Sequence, residues 1–369
     1  MISLLNVEGK IFFSVVAQRL ASYLERNSLI DTMVQKAGIP GFAGCLEHTS
    51  MIWHQIQAAK INKRDLHEIF LDLAKAFGSV PHSLIWSVFE YFKVPQVVVN
   101  FVKAYFQDIR LCLSTAGFTT GWQRLEKGIM AGCTISPLAF TMAMEVIIRA
   151  SKWVVGGERR QNGLHLPPVR AYMDDMTLVT TTMPCTKRLL EKVNKNLKWA
   201  SMKIKPSKSR GISIRRGKLS DRKFVKDDEE IPTIREKSVK SFGRWYNVEL
   251  NDEEQVVKFR KDVAEGLDRI DKSELPGKLW PIYEIPTSVV ERIERSVSSY
   301  IRKWLGAPRC LSSDALYGKG ILQLPVSSST EEFKCTKVRT ELLLSGSKDV
   351  VVGSKSNQGE EVEPKIGSS

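Results

Sequence analysis

Three aspartates are the residues of this sequence with the clearest capacity for chemistry. The stretch RAYMDDMTLV (170–179) places Asp174 and Asp175 side by side between two short apolar runs, and Asp72 lies near the end of the apolar stretch HEIFLDLA (67–74). Side chains alternate between the two faces of a strand, so neighbouring residues share a direction only at a turn. A two-residue hairpin turn at Asp174 and Asp175 would present both carboxylates at the rim of a sheet. The local preference of aspartate for turns explains the same pair without any function.

Metal binding is the chemistry that these carboxylates indicate. Two adjacent strands that end at one rim would bring Asp72 close to Asp174 and Asp175. Crowded carboxylates repel one another unless cations neutralise them. Mg²⁺ prefers oxygen ligands and often combines carboxylates with substrate phosphates. Two such ions about 4 Å apart serve in-line phosphoryl or nucleotidyl transfer, which is the reaction class that this pattern favours.

The elements that must position these acids are predicted from hydrophobic periodicity. Apolar residues recur at helical spacing in 11–26, 45–60, 96–107, 136–151 and 185–201, and again from about 252 onward. Short strands fit HEIFLDLA, VRAYM, MTLVTT and GISIRR, and the stretches RLCLST and FTTGWQRLEKG alternate as a hairpin does. Strands that alternate with helices and include a hairpin predict an α+β fold, with a sheet backed by helices on one face.

The composition indicates a partner that carries negative charge. The 369 residues include 55 Lys+Arg against 41 Asp+Glu, a formal net charge of +14. Such an excess favours nucleic acid through neutralisation of phosphates, although many basic proteins bind none. The cysteines are scattered and lack the spacing of a zinc site. No stretch has the pattern of a signal peptide or the length of a membrane span, which predicts an intracellular protein and leaves the compartment open.

Five motifs occur along the chain in the order of a known family: FLDLAKAF, GIMAGCTISPLAF, YMDD, MKIKPSKS and SFGRWY. Together they resemble motifs A to E of reverse transcriptases of the non-LTR retrotransposon type, over about residues 2–305. The resemblance implies a right-hand polymerase palm, an antiparallel sheet backed by helices, with partial helical fingers and a truncated helical thumb. The expected parts are partial fingers at 1–66, the palm with inserted fingers helices at 67–250, a helical thumb-like region at 251–345 and a disordered tail at 346–369.

The resemblance implies an RNA-directed DNA polymerase that uses two Mg²⁺ or Mn²⁺ ions. Asp72 and Asp174 would bind both ions, Asp175 would assist, and the Leu73 carbonyl would supply a further ligand. The implied partners are an RNA template, a DNA primer and deoxynucleoside triphosphates, with no membrane; the oligomeric state stays open. Tyr172, which opens the YMDD motif, falls among the implied substrate-binding residues.

Phe77 is the position at which the resemblance separates DNA synthesis from RNA synthesis. The family places an aromatic residue five positions after the motif A acid, where it clashes with the 2′-hydroxyl of a ribonucleotide. A clash of this kind excludes the wrong substrate by steric repulsion. Without the family, a phenylalanine in a hydrophobic core is an equally good interpretation of this position.

The motif B loop GIMAGCTISP would pack on the incoming nucleotide and the template. Gly128 and Gly132 would allow the backbone to approach closely. Ser136 is a suitable N-cap for the helix that follows, and Pro137 suits its first position. An ordinary loop-to-helix junction explains Ser136 and Pro137 equally well.

Two positions depart from the family pattern. Ala131, which the resemblance assigns with Gly132 to the substrate-binding set, stands where relatives usually have a glutamine that contacts the nucleotide. Gly78 stands where many relatives have an aspartate. Basic fingers residues that would grip the triphosphate are not identifiable, and upstream fingers are expected to be missing. These departures support the alternative hypothesis of a retroelement relic that only binds nucleic acid.

Motifs D and E supply the last implied site residues. Lys208 matches the motif D lysine proposed as the general acid for the leaving pyrophosphate, a role that suits a lysine near metal-bound phosphates. It also lies in a basic stretch, Lys203 to Lys226, which would equally track phosphates or form a solvated face. Phe242 and Gly243 resemble the motif E primer grip, with a purely structural hairpin as the alternative. A basic scaffold unrelated to polymerases would require five ordered motifs to arise by coincidence.

Overall fold

A computed structural model describes residues 6–115, 117–159, 165–273, 287–304, 316–317 and 328–346. The chain divides into two compact units, Met1–Phe242 and Gly243–Ser369. The stretch 274–286 of the predicted thumb-like region and the predicted tail beyond Gly346 lie outside the described residues. The subdomain boundaries at 66, 250 and 345 remain predictions.

The first unit mixes helices and short strands. Its helices are α1 (Val7–Arg26), α2 (Cys45–Ile61), α3 (Ala76–Ser79), α4 (His82–Tyr91), α5 (Gln96–Gln107), α6 (Ser136–Lys152) and α7 (Met183–Trp199). Its strands are β1 (Leu66–Leu71), β2 (Arg110–Leu111), β3 (Gln123–Arg124), β4 (Val169–Tyr172), β5 (Asp175–Thr180), β6 (Arg210–Arg215), β7 (Lys218–Ser220), β8 (Phe224–Lys226), β9 (Glu229–Ile231) and β10 (Val239–Ser241). The predicted helices are confirmed with ends shifted by a few residues, and β2 pairs with β3 as the predicted hairpin.

The sheet that carries the candidate site has the strand order β4-β5-β1-β6-β7, and its neighbouring strands are antiparallel. Its register pairs Ile69 with Leu178 and Leu178 with Val169. Residues directly opposite each other in an antiparallel pair point to the same face. These three side chains are fully buried in the main hydrophobic core, together with side chains of α6 and α7. The result is an α+β unit with an antiparallel sheet backed by helices.

The opposite face of the sheet is covered by α2, which contacts β1, β4 and β6. All six residues of β1 are therefore buried, and its sequence shows no apolar–polar alternation. Helices α6 and α7 back one face of the sheet as predicted, and α2 covers the other face in addition. The buried side of α2 includes charged and polar residues such as Glu47 and His48, so an apolar pattern did not mark it as a sheet-covering helix.

The described residues of the second unit are mostly helical, as predicted from 252 onward. It contains β11 (Arg244–Tyr246), α8 (Glu253–Ser273), α9 (Thr287–Trp304) and α10 (Ser329–Ser345). Val289, Val290 and Ile293 of α9 pack against Phe333 of α10 in a small core. Among the described helices of the whole chain, none is both long enough and apolar enough to cross a membrane.

Candidate active site

The YMDD stretch forms the hairpin turn between β4 and β5. Tyr172 pairs with Asp175, so the two central residues of the turn are Met173 and Asp174. The sequence prediction placed the turn one residue later, at Asp174 and Asp175. The observed register sets Ala171 opposite Met176, and both side chains are buried in the core. Met173 has a φ of 56°, a conformation for which hairpin turns of this kind usually use glycine.

The three acids lie together at one end of neighbouring strands. β1 pairs Leu71 with Met176, and Asp72 and Asp175 are the next residues beyond this pair. Burial, followed by the negative charges of Asp174 and Asp72, raises the pKa of Asp175 to about 6, although a hydrogen bond from the Phe242 backbone lowers it. The carboxylates of Asp72 and Asp174 are therefore both close enough to affect the protonation of Asp175, which is the arrangement that a cation would stabilise.

The donor set fits a hard divalent cation. The three side chains offer carboxylate oxygens, and their mutual repulsion is the cost that bound Mg²⁺ would relieve. Among the described residues, no group of three or more His, Cys, Asp or Glu side chains is arranged to hold a metal ion without further ligands. Such a group is not required, because Mg²⁺ is commonly bound by one or two carboxylates together with waters and substrate phosphates.

Asp72 is fixed by the segment that carries motif D. Its N–H donates to Ser209 Oγ at 3.1 Å, and its carbonyl accepts from the Lys205 N–H at 2.8 Å. The Ala74 N–H donates to the Lys203 carbonyl at 2.8 Å. The hydrogen bonds between the two backbone segments thus use the Asp72 carbonyl and the Ala74 N–H, and they do not use the Leu73 carbonyl. Ser209 was not identified from the sequence, because a serine inside a basic loop gives no signal of its partner.

A cavity of about 810 Å³ adjoins Asp72 and carries several lysines on its lining. Lys198 and Lys226 pair with Asp227 at 2.7 and 3.2 Å. The other lining lysines, which make no ion pair within the described part of the chain, are Lys75, Lys203, Lys205 and Lys208. The structure therefore places Lys208 on the same cavity as Asp72, in surroundings that attract phosphate.

Phe77 is held between the motif A turn and the motif B helix. Its ring stacks on Phe140 with centroids 4.8 Å apart and an interplanar angle of 9°. Its carbonyl accepts from the Ile129 N–H at 2.8 Å. Gly128 has a φ of 87°, and a Cβ added there would lie 2.9 Å from the Gly78 Cα. The close approach made by Gly128 is thus to the protein's own backbone at Gly78.

The start of α6 differs from the prediction by one residue. The Ala139 N–H donates to the Ile135 carbonyl at 3.0 Å, so Ile135 is the N-cap and Ser136 is the first helical residue. The prediction of a Ser136 cap is wrong because the Ser136 N–H already donates to the Cys133 carbonyl, at 3.2 Å, and the turn begins earlier. Ala131 is half-buried in the preceding loop, and Gly132 is exposed with a φ of 113°.

Tyr172 and Phe242 sit against the start of α2. The Phe242 ring is buried with its centroid 5.1 Å from that of His48, and its carbonyl accepts from Thr49 Oγ1 at 2.8 Å. A Cβ added at Gly44 would come within 2.7 Å of the Tyr172 ring. Phe242 and Gly243 both have positive φ, 47° and 83°. The Phe242 backbone, which bonds to Asp175, is therefore the part of this residue that reaches the acids.

An antiparallel sheet backed by helices, with crowded carboxylates at the end of its central strands, defines a palm of the kind that supports nucleotidyl transfer. Residues 1–254 match the family model described as "Reverse transcriptase (RNA-dependent DNA polymerase)". This chain belongs to the reverse transcriptase family. The resemblance that motifs A to E indicated is thereby confirmed.

The relatives that this chain matches are retrotransposon polyproteins. It is 21% identical over 323 residues to the Retrovirus-related Pol polyprotein from type-2 retrotransposable element R2DM of Drosophila melanogaster, covering 80% of this chain and 30% of that protein. It is 24% identical over 217 residues to the type-1 element R2 protein of Nasonia vitripennis, covering 58% of this chain and 20% of that protein. The chain thus spans less than a third of these relatives.

Among solved structures, this chain is similar to telomerases. A structure of telomerase from Candida Tropicalis in complex with the TWJ fragment of telomeric RNA is 12% identical to this chain. The match covers 95% of this chain and 55% of that one, with a TM-score of 0.48.

Proposed function

We propose that this chain is the reverse transcriptase domain of a non-LTR retrotransposon-type polyprotein and catalyses RNA-directed DNA synthesis. The observation that carries the proposal is the crowding of Asp72, Asp174 and Asp175, where burial, followed by the charges of Asp174 and Asp72, raises the pKa of Asp175 to about 6. Such a cluster is costly unless divalent cations neutralise it, and Mg²⁺ bound to carboxylates commonly takes substrate phosphates as its further ligands. Membership of the reverse transcriptase family supports the same chemistry.

The reaction transfers a nucleotide to the end of a DNA primer. The primer 3′-hydroxyl loses its proton to water, its oxygen bonds to the α-phosphorus of a deoxynucleoside triphosphate, the bond from that phosphorus to the α,β-bridging oxygen breaks, and pyrophosphate leaves. Asp72 and Asp174 would hold two Mg²⁺ or Mn²⁺ ions with help from Asp175 and the Leu73 carbonyl. When bound, the ions activate the attacking hydroxyl and stabilise the charge of the leaving group.

The lysine-lined cavity beside Asp72 is suited to the leaving pyrophosphate. Lys75, Lys203 and Lys205 supply positive charge there without competing ion pairs in the described residues. Lys208 lines the same cavity and would donate a proton to the pyrophosphate oxygen as it leaves.

The remaining site residues would select and hold the substrates. The braced Phe77 ring would exclude the 2′-hydroxyl of a ribonucleotide. Ala131, Gly132 and Tyr172 would contact the nucleotide and the RNA template, and the turn at Phe242 and Gly243 would hold the primer end next to Asp175. The net charge of +14 favours binding of the template–primer hybrid through its phosphates.

Primer extension tests the proposal. The purified chain is incubated with a DNA primer annealed to an RNA template, deoxynucleoside triphosphates and Mg²⁺ or Mn²⁺. We expect extension that Asp174→Asn abolishes, because the variant removes a charged ligand and keeps the side-chain shape. Asp228→Asn, the same change at an exposed residue with positive φ, is the control and should leave extension unchanged.

Mobility shifts separate the two candidate functions. Binding of the hybrid without extension would favour the relic that only binds nucleic acid, a hypothesis that Ala131 supports. Neither binding nor extension would contradict both functions.

A further inference from the structure

The segment 34–44, which precedes α2 and is called the Gln35 segment below, runs along the outer edge of β4 at its first residues. Gln35 forms an isolated parallel bridge with Ala171, and the Ala171 N–H donates to the Val34 carbonyl at 2.8 Å. β4 is the end strand of the sheet, so this edge would otherwise be unpaired within the sheet. The segment is therefore attached to the chain directly before the YMDD turn.

The side chain of Gln35 extends this attachment into the turn itself. It is fully buried, and its Oε1 accepts from the Met173 N–H at 3.3 Å and from the Ala37 N–H at 3.1 Å. Because both partners are N–H donors, the amide must present its oxygen and not its nitrogen to them. Only this orientation of the amide provides an acceptor for the Met173 N–H of the turn.

Met173 needs outside support in its observed conformation. Its φ of 56° is in a region that residues with a Cβ rarely adopt. A non-glycine residue held there is strained and persists only when its surroundings determine its conformation. The Gln35 hydrogen bond acts on the Met173 amide, one residue before Asp174 and two before Asp175.

A second contact fixes the residue on the other side of Met173. Gly44 has a φ of 60°, and a Cβ added there would come within 2.7 Å of the Tyr172 ring. The same loop therefore packs closely on Tyr172 through Gly44 and bonds to Met173 through Gln35. Two consecutive residues directly before the acidic pair are held by one neighbouring segment.

We propose that Gln35 is a positioning residue that holds the Met173–Asp174 turn in the conformation in which Asp174 and Asp175 approach Asp72. It acts through the Met173 amide and does not touch substrate. The proposal rests on the proposed polymerase function for its kinetic consequence. Its structural consequence, support of the turn, is independent of that function.

The variant Gln35→Met tests the proposal, because it keeps the length of the side chain and removes the amide oxygen. We expect kcat for primer extension to fall about 10- to 100-fold, as for reacting groups that are slightly misplaced. The KM for deoxynucleoside triphosphate and the affinity for the hybrid should stay within about twofold. Mn²⁺ binding to the substrate-free protein, measured by calorimetry, should weaken, and Gln18→Leu at an exposed position of α1 should change nothing.

Amide hydrogen exchange gives a readout that does not depend on activity. In the wild type the Met173 amide should be protected, and in Gln35→Met it should exchange faster while the amides of β1 and β5 stay protected. An unprotected Met173 amide in the wild type would overturn the proposal, and this measurement decides the matter if Gln35→Met does not fold. A folded variant with wild-type kcat and Mn²⁺ affinity would also overturn it. An inactive wild type with a protected Met173 amide would contradict only the proposed function.

Discussion

The Phe77 ring is immobilised by stacking on Phe140, and its backbone is fixed by the Ile129 hydrogen bond. The ring is half-buried, so part of it is accessible to a substrate. Because both its side chain and its backbone are fixed, it is suited to exclude a substituent by steric repulsion. This geometry is compatible with the role that the family resemblance implies, and it also satisfies the plain packing interpretation. A substitution that removes ring volume distinguishes the two.

Phe77→Val should lower the selectivity for deoxyribonucleotides over ribonucleotides by at least about tenfold, because the smaller side chain removes the clash with the 2′-hydroxyl. Single-nucleotide extension with matched deoxy- and ribonucleoside triphosphates measures the ratio of kcat/KM values. Phe101→Val makes the same change at an exposed phenylalanine of α5 and should keep the wild-type ratio. An unchanged ratio in Phe77→Val would leave Phe77 as a packing residue alone.

At the scale of elements, α2 and the segment before it are joined by a buried ion pair. Lys36 Nζ lies 3.2 Å from Glu47 Oε2, both side chains are fully buried, and Nζ also donates to the Thr32 carbonyl at 2.8 Å. Removal of one partner from such a pair leaves a buried charge without its main compensation. The pair therefore ties the Gln35 segment to the helix that covers the sheet.

Lys36→Met should lower the free energy of unfolding by about 3–5 kcal/mol, measured by urea denaturation. The double variant Lys36→Met with Glu47→Leu should recover most of this loss, because neither charge of the pair is then left buried without the other. Lys103→Met breaks an exposed pair with Glu90, of 3.1 Å, and should cost less than about 1 kcal/mol. Equal losses for Lys36→Met and Lys103→Met would contradict the assigned role of the buried pair.

The sequence predicts these elements well where one segment contains its own signal. Apolar residues at helical spacing predicted α6 and α7, and the apolar stretches around Asp72 and the YMDD motif predicted the strands that carry the acids. Family motifs added roles that periodicity alone does not provide. Periodicity and motifs are both read within one short segment, so neither predicts contacts between residues that are distant in the sequence.

The missed features depend on contacts between distant residues. Gln35 and Met173 are 138 positions apart, and nothing in either local sequence indicates their hydrogen bond. The observed turn lies one residue earlier than the predicted turn, because the pairing of Ala171 with Met176 fixes the register of the whole hairpin. The sheet-covering role of α2 was hidden because its buried side carries Glu47 and His48, and the charged residues that act on them, Lys36 and Arg170, lie outside the helix.

At the scale of the whole molecule, the buried His48 of α2 makes the stability of the fold depend on pH. Burial, together with the positive charges of Arg170 and Lys36, holds the pKa of His48 well below its usual range. The folded protein therefore keeps His48 neutral at a pH at which the unfolded chain binds a proton, below about 6.5. Because the unfolded state then binds more protons, stability falls as the pH falls through this range.

The His48 contribution should accordingly lower the stability of the wild type between about pH 7 and about pH 5, by up to about 1.4 kcal/mol for each pH unit below the unfolded pKa of histidine. The buried carboxyls of Glu68 and Asp175, whose pKa values are raised by burial, contribute with the opposite sign in both proteins. Relative to the wild type, His48→Gln should therefore be more stable at pH 5 than at pH 7, since its amide cannot take up the proton. Urea denaturation at several pH values measures the slope for each protein. His165→Gln replaces an exposed histidine and should retain the wild-type slope. If His48→Gln kept that slope as well, the pH dependence would have to arise from other buried groups, of which His67, with a pKa also lowered by burial, is the first to test.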